Sequence, residues 1–319
     1  MDEVTKFARL VAETHRFCLT THVHPDGDGL GSLLALGETL KNQGKEVVLF
    51  VDDEIPPQYR RLPGIEGVLS EIPKDGFETL VLLDCAEPSR IGRLKSHLVG
   101  AKMVIIDHHS SSDEAGDVNI LDPQAPATGL ILFRMFRALS WPITPSIATN
   151  LYTALLTDTG CFCFQQTNEE AFRMAAELVA AGASPAKVAE DLFEHYPLRR
   201  FKLLARALDA LELHFGGRLG LVVLTPEAFQ ETGAQGSDTE SFANMIRSID
   251  TVELAVLIRE VTPGQVAVSL RSQRINVARL AERFGGGGHA QAAGFKKRAR
   301  ADEVRAALLE AARELMEGK

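Results

Sequence analysis

Through the first half of the chain, short apolar runs rich in Val, Ile and Leu alternate with longer stretches whose apolar positions recur at helical spacing. The runs at 17–21, 46–51, 79–83 and 103–106 read as strands. Their hydrophobicity is continuous rather than alternating, as in parallel strands buried on both faces. Leu30, Leu33, Leu34 and Leu40 fall on one face of a helix over 30–42, and Gly44 is placed to end it. Helices over 128–139 and 147–156 are predicted to cover the sheet. A further helix follows the capping-box spacing Thr167 to Glu170, with Phe172, Ala175, Ala176 and Val179 as its apolar face before Gly182.

Beyond residue 184 the pattern changes. A helical linker is predicted over 186–215, with Arg199, Arg200 and Lys202 as a solvated charge cluster. Strand-like runs at 219–224, 252–258 and 265–270 then alternate with helices near 241–249, 277–284 and 302–316. The predicted fold class is α/β: an N-terminal parallel-sheet domain at 1–185, the linker at 186–215, and a smaller α/β domain at 216–319. A length of 319 residues fits two cores better than one.

Composition narrows the function classes. Apolar residues at 45% and charged residues at 24% are ordinary globular values. The net charge of −9 argues against a protein that coats long nucleic acid through a basic surface, because that mode depends on many Lys and Arg phosphate contacts. A small anionic substrate held through metal ions is still allowed. Trp141 is the sole tryptophan, so no stacking array for long single strands is visible. The cysteines Cys18, Cys85, Cys161 and Cys163 do not form a disulfide framework at this size and spacing, and read as small packing residues. Cys161 and Cys163 alone are a weak soft-metal signal. No apolar N-terminal segment follows Met1, and no run reaches the ~18 residues of a membrane span, so a cytoplasmic location is expected.

The chemistry gathers where the apolar runs end. The run at 103–106 leads into Asp107-His108-His109, the run at 17–21 into His22, Asp26 and Asp28, and the run at 79–83 into Asp84. Asp158 follows the helix over 147–156. In open parallel sheets the C-terminal strand ends border the ligand crevice, so His22, Asp26, Asp28, Asp84, His108 and Asp158 are expected to converge. That many acids cannot share a dry cleft as bare anions. Oxygen and imidazole donors without thiolates suit Mn²⁺ or Mg²⁺, and a shared carboxylate would make a two-metal site suited to phosphoester hydrolysis.

These residues resemble the DHH phosphoesterase family: His22-x-x-x-Asp26-x-Asp28, then Asp84, then Asp107-His108-His109, then Asp158-Thr159-Gly160. Downstream, Gly285 to Gly288 followed by His289 resembles the DHH-associated C-terminal domain. The resemblance implies that His22, Asp26 and Asp84 hold one metal and that Asp28, Asp84, His108 and Asp158 hold the other, with Asp84 bridging. It implies that His109 faces the substrate and contacts phosphate or assists proton transfer, while Asp107 orients an imidazole. Arg271 and Ser272 resemble the companion substrate-binding pair, alongside Gly286, Gly287, Gly288 and His289. His24 has no counterpart in the ligand pattern.

With no sensory or membrane segment, the chain is most similar to the stand-alone branch of the family. The implied activity is hydrolysis of short oligoribonucleotides to mononucleotides, with dephosphorylation of 3′-phosphoadenosine 5′-phosphate (pAp). The alternatives are a cyclic or linear dinucleotide phosphodiesterase and a single-strand exonuclease like the recombination nucleases. The expected cofactors are two divalent ions, Mn²⁺ before Mg²⁺. A homodimer is implied by the resemblance alone.

Overall fold

A computed structural model describes residues 2–72, 76–85, 87, 90–97, 100–109, 115–288 and 290–316, and the chain divides into two compact units, Met1–His195 and Tyr196–Lys319. The first contains α1 (Glu3–Glu13), β1 (Arg16–Thr20), α2 (Gly27–Asn42), β2 (Glu46–Phe50), β3 (Val68–Leu69), β4 (Thr79–Leu83), β5 (Lys102–Asp107), β6 (Val118–Leu121), α3 (Thr128–Ala138), α4 (Pro145–Asp158), α5 (Glu169–Ala180) and α6 (Pro185–Phe193). Its six strands are ordered β3-β2-β1-β4-β5-β6 and every pairing is parallel. The expected α/β class with a parallel first sheet therefore holds.

Both faces of that sheet are covered, as the continuous strands require. Phe17, Leu19, Val81, Leu83, Val104 and Ile106 join the helices in one core, whereas Cys18, Leu80, Leu82 and Ile105 pack on the other side with Ile91 and Leu94. The strand order reverses between β1 and β4. That is the switch point where a crevice opens beyond the strand ends, and the loops leaving β1 and β4 carry His22 and Asp84 there.

Close helix contacts hold this end together. A Cβ on Gly31 of α2 would lie 2.4 Å from the Asn150 carbonyl oxygen of α4, and one on Gly129 of α3 would lie 2.7 Å from Ala154 Cβ. Neither site has room for even a methyl group, so the three helices approach to backbone contact.

Several expectations need correction. The α5 cap is Asn168, whose side chain accepts from the Ala171 amide, and the buried face is Ala171, Met174 and Leu178. Phe172 and Val179 are 56% and 43% exposed. Two apolar stripes lie one residue apart on this helix, and only packing decides which turns inward. Cys18 and Cys85 are buried as expected, but Cys161 and Cys163 are exposed in the turn after α4.

The stretch read as a linker divides between the units. Val188 and Leu192 of α6 enter the first core, while Leu203 and Ala207 of α7 (Leu198–Asp209) enter a core of the second. Arg200 is not solvated. It is 6% exposed, it donates to the Asp238 and Glu240 carbonyls at 2.6 and 2.7 Å, and its guanidinium lies 4.1 Å from the Tyr196 ring centroid. A lone arginine is tolerated there because backbone acceptors and a ring face replace water.

The second unit continues with β7 (Glu212–His214), β8 (Leu219–Leu224), α8 (Pro226–Thr232), α9 (Phe242–Arg247), β9 (Leu254–Thr262), β10 (Gln265–Ser272), α10 (Val277–Glu282), β11 (Gly287–Gly288), β12 (Ala292–Lys297) and α11 (Ala301–Met316). Its sheet is mixed, ordered β11-β12-β10-β9-β8-β7, with β8–β9 the parallel pair. Alternation sorts β10 cleanly: Val266, Val268 and Leu270 enter the core shared with α10 and α11, while Ala267, Ser269 and Arg271 lie on the opposite face.

The helix contacts in the first unit generate a stability prediction. Gly31→Ala should destabilise that unit by ~1–3 kcal/mol, because the new methyl meets backbone that cannot swing away. Gly67→Ala, where a Cβ would meet nothing within 4 Å, should change stability by less than ~0.5 kcal/mol. Chemical denaturation of both variants reads the difference, and equal midpoints would contradict it.

Candidate metal centre

The turn after β1 turns the chain sharply into α2. Asp26 is the N-cap of α2: its Oδ1 accepts from the Gly29 amide at 3.0 Å, which leaves Oδ2 facing His22 Nε2 at 3.7 Å. Asp28 lies in the first turn, where the helix dipole favours negative charge. From there its carboxylate reaches a second helix. Asp28 Oδ2 accepts from the Thr128 amide at 2.6 Å and Oδ1 from the Gly129 amide at 2.9 Å. Ala127, the N-cap of α3, has no side chain to cap it, so Asp28 satisfies two of its open donors from outside.

Asp84, immediately after β4, is 2% exposed and adopts a left-handed backbone at φ 55°. That conformation costs a non-glycine residue on the order of 1 kcal/mol or more and clusters at functional sites. Its side chain is engaged on both oxygens. Oδ2 lies 3.5 Å from His22 Nε2, Oδ1 lies 3.4 Å from His108 Nε2, and the Thr128 hydroxyl donates to Oδ1 at 3.1 Å. Asp158, the last residue of α4, completes the group, with Oδ2 at 3.2 Å from His108 Nε2. An acid at a helix C-terminus opposes the dipole, so its position answers to the site rather than to the helix.

The imidazoles are aimed by backbone carbonyls. His22 Nδ1 donates to Val23 O at 2.9 Å, and His108 Nδ1 donates to Ala125 O at 3.0 Å. A carbonyl only accepts, so each Nδ1 carries the hydrogen and each Nε2 is left facing carboxylates. Burial alone would lower both histidines. Asp26 and Asp84 outweigh it for His22, and Asp84, Asp28 and Asp158 outweigh it for His108, lifting each to about 11.

The acids answer in kind. Burial, then repulsion from Asp84 and Asp158, raises Asp28 well above the carboxylate range. Burial raises Asp158 to about 7 despite His108, and the two imidazoles overcome burial to hold Asp84 low. The protein's own groups satisfy this cluster only by putting protons on both imidazoles. A divalent cation meets the same demand with the Nε2 lone pairs as donors, and this donor set fits it.

The potential ligand atoms fall into three groups, each within 4.8 Å: His22, Asp26 and Asp84; Asp28, His108 and Asp158; and Asp84, His108 and His109. All six expected ligand residues are thus brought together. Asp107 Oδ1 accepts from the His108 and His109 amides at 2.8 and 3.2 Å and from His109 Nδ1 at 2.7 Å. It shapes the turn and aims His109. Burial would lower His109, but the Asp107 hydrogen bond raises it. His24 is exposed, with Nδ1 2.8 Å from Asp53 Oδ2.

Thr128 and Gly129 were missed from sequence. Their signal was an N-cap position without a capping side chain, which leaves amides available to a distant carboxylate.

The substrate residues expected in the second unit have different surroundings. Ser272 is fully buried: its hydroxyl donates to Glu253 O at 2.6 Å and accepts from the Arg274 and Ile275 amides at 3.1 and 2.8 Å. It fixes the 272–275 turn, which leaves Arg271 as the member of that pair able to reach a ligand. A Cβ on Gly286 or Gly288 would come within 2.2 Å or 2.5 Å of the β12 carbonyls of Gly294 or Ala292, so these glycines permit close approach to β12. Gly287 is exposed and open on the edge strand β11. His289 lies outside the described residues.

Comparison with known proteins accords with this geometry. Residues 16–155 match the DHH family, N-terminal domain, and residues 220–318 match the DHHA1 domain. The chain is 36% identical to the "Bifunctional oligoribonuclease and PAP phosphatase NrnA" of Thermus thermophilus, over 96% of this chain and 93% of that one. Among solved structures, an exopolyphosphatase-related protein from Bacteroides fragilis is similar with a TM-score of 0.91 at 24% identity, covering 99% of this chain and 96% of that one. RecJ from Thermus thermophilus in complex with Mn²⁺ is similar in fold, with a TM-score of 0.54 at 15% identity over 97% of this chain and 54% of that one.

Fold and acid–imidazole cluster together define a hydrolase of phosphoester bonds. The chain belongs to the DHH family, with a DHH domain followed by a DHHA1 domain.

Asp84 touches both imidazoles, so its neutralisation should affect every group at once. Asp84→Asn is expected to lower phosphoester hydrolysis by at least ~10³-fold and to reduce bound manganese while the fold is retained. Turnover within about tenfold of the parent, with unchanged metal content, would remove Asp84 from the centre.

Proposed function

We propose that this protein degrades oligoribonucleotides of a few nucleotides to mononucleotides and also removes the 3′-phosphate of pAp, using two divalent ions, Mn²⁺ in preference to Mg²⁺. The observation that carries this reading is Asp84 standing between two ligand groups, one with His22 and Asp26 and one with Asp28, His108 and Asp158. Support comes from the Thermus thermophilus relative, named as a bifunctional oligoribonuclease and PAP phosphatase, which aligns over nearly the whole of both chains. His22, Asp26 and Asp84 would hold one ion, and Asp28, Asp84, His108 and Asp158 the other. Bound there, the ions supply Lewis acidity, which lowers the pKa of an attacking water and offsets charge developing on the phosphate.

The remaining roles belong to the chain itself. Asp107 fixes the His109 ring through Nδ1, so that Nε2 can exchange a proton or hydrogen bond with a phosphate oxygen. Arg271 offers a forked donor to phosphate and Ser272 holds the turn beside it, with Gly287 and His289 as further contacts. Gly286 and Gly288 let β11 lie against β12, which sets the position of Gly287 between them. A cytoplasmic location and a homodimer belong to the same reading.

Substrate length tests it. The chain is acidic overall and has a single tryptophan, so an extended basic or stacking track for a long strand is not supplied. RNA of two to four nucleotides (roughly the span of one crevice) should be hydrolysed with higher kcat/KM than a long oligomer of about 24, and pAp should lose phosphate. Rates that rise with length would establish a processive exonuclease instead. Activity confined to cyclic dinucleotides would place the protein among the dinucleotide phosphodiesterases.

A further inference from the structure

The turn between β1 and α2 carries two candidate ligands, His22 and Asp26, on either side of a backbone that is unfavourable twice over. His24 is left-handed at φ 60°, and it precedes Pro25, whose ring pushes the residue before it toward extended conformations. Strain of that kind persists only where neighbouring groups fix it. Here the group is Asp53, three residues beyond β2, the strand that pairs with β1. Its Oδ2 accepts from the His24 amide at 2.9 Å and lies 2.8 Å from His24 Nδ1.

That amide belongs to the Val23–His24 peptide, and the carbonyl of the same peptide is the one that accepts from His22 Nδ1 at 2.9 Å. A peptide group is planar, so the carboxylate that fixes its N–H also fixes the direction of its C=O. Asp53 is thereby joined to the His22 ring through one rigid group, and at the far end of that ring Nε2 faces Asp26 and Asp84. A carboxylate at the head of such a series also polarises each hydrogen bond after it.

The other imidazole has no such series. His108 Nδ1 donates to Ala125 O, and the peptide of that carbonyl is closed by Pro126, which has no N–H to offer. The two histidines are therefore aimed by different means. The end of β2 steadies the loop after β4 as well: Asp52 Oδ2 accepts from the Arg93 amide at 2.6 Å, and that loop is tied back to the first turn where the Val23 amide donates to Arg90 O at 2.8 Å.

We propose that Asp53 is a positioning residue for the metal centre. Acting through the Val23–His24 peptide, it orients His22 and so sets the affinity of the ion assigned to His22, Asp26 and Asp84, while the affinity of the ion at Asp28, His108 and Asp158 does not depend on it. His24 is the clasp that keeps Asp53 on this peptide, which gives a role to a histidine that stands between two ligands without being one. The side chains of His24 and Asp53 are 65% and 36% exposed. A pair that open to water adds little to stability, so its contribution lies in direction, and variants should fold.

This role rests on the two-ion reading above, and the test separates the two. Binding of Mn²⁺ to the full metal-free chain is measured by calorimetry for the parent, Asp53→Ala, Asp53→Asn and His22→Ala, with chemical denaturation of each protein before metal is added. The parent should bind two ions. In Asp53→Ala one ion should bind roughly 10–100-fold more weakly and the other as in the parent, a milder form of the pattern given by His22→Ala. Asp53→Asn keeps an oxygen for the His24 amide without the charge, and should weaken the same ion by about threefold or more, short of the loss in Asp53→Ala. Denaturation midpoints should not change.

Affinities within about twofold of the parent for both ions in Asp53→Ala would overturn the positioning role. So would equal weakening of both ions with a lowered midpoint, which is what general loosening of the turn would give. Should Asp53→Ala fail to fold, Asp53→Asn decides, and parent-like affinity for both ions overturns the role. A parent that binds fewer than two ions would overturn the two-ion reading and this role with it. A parent whose first ion depends on Asp53, yet which cleaves neither pAp nor short RNA, would uphold the role and overturn the proposed function.

Discussion

The first unit depends on a buried charge problem centred on Asp84. A carboxylate that is 2% exposed cannot remain ionised without positive charge, and His22, His108 and the Thr128 hydroxyl converge on it from three parts of the chain. Bringing them there requires β1, β4 and β5 to be neighbours with their ends aligned, which the strand order provides. It also requires Asp84 to leave its strand in a left-handed conformation, an intrinsically unfavourable backbone that the pairing of the Asp84 amide with Ile106 O at 3.0 Å helps to hold.

Helix geometry and site geometry are the same contacts seen from two sides. Asp28 is a candidate ligand and also the external cap of α3, since Ala127 has no side chain to do that work. Gly31 and Gly129 let α2 and α3 sit close enough to α4 for Asp28 and Asp158 to face one imidazole. Any substitution that relaxed this packing would loosen the donors even if every carboxylate survived. Conversely, loss of the Asp28 carboxylate would leave the Thr128 and Gly129 amides at the start of α3 without their acceptor.

The half of the molecule that carries the acid–imidazole cluster was legible because its signals are local. Each strand announced itself as a continuous apolar run, and each candidate ligand stood within a few residues of a run's end or of a helix end, so the parallel order alone gathers them. What stayed hidden is set by contacts distant in sequence. Nothing near Arg200 announces the Asp238 and Glu240 carbonyls that bury it, and Phe172 and Met174 are equally apolar until packing against α3 and α4 decides which faces inward. Ser272 resembled a ligand contact by its place beside Arg271, yet its hydroxyl serves Glu253 O. The left-handed conformation of Asp84 was not legible either, because its strongest marker is glycine and aspartate adopts it only occasionally.

The two units handle charge in opposite ways, and this bears on what an acidic protein can do with an anionic substrate. In the first, acids outnumber the bases near them, so the cluster draws cations. In the second, Arg247, Arg259 and Arg271 form no ion pair with a carboxylate among the described residues, although carboxylates are the more abundant charge in the chain as a whole. Long-range steering by net charge would repel a polyanion, and salt would relieve that repulsion. Point recognition by partly buried guanidinium forks and bound ions is screened much less. A small anion needs only one such contact, whereas each further nucleotide of a long strand adds repulsion from the net charge. An acidic chain whose positive charge is confined to such points is thus better matched, on physical grounds, to small anions than to long ones.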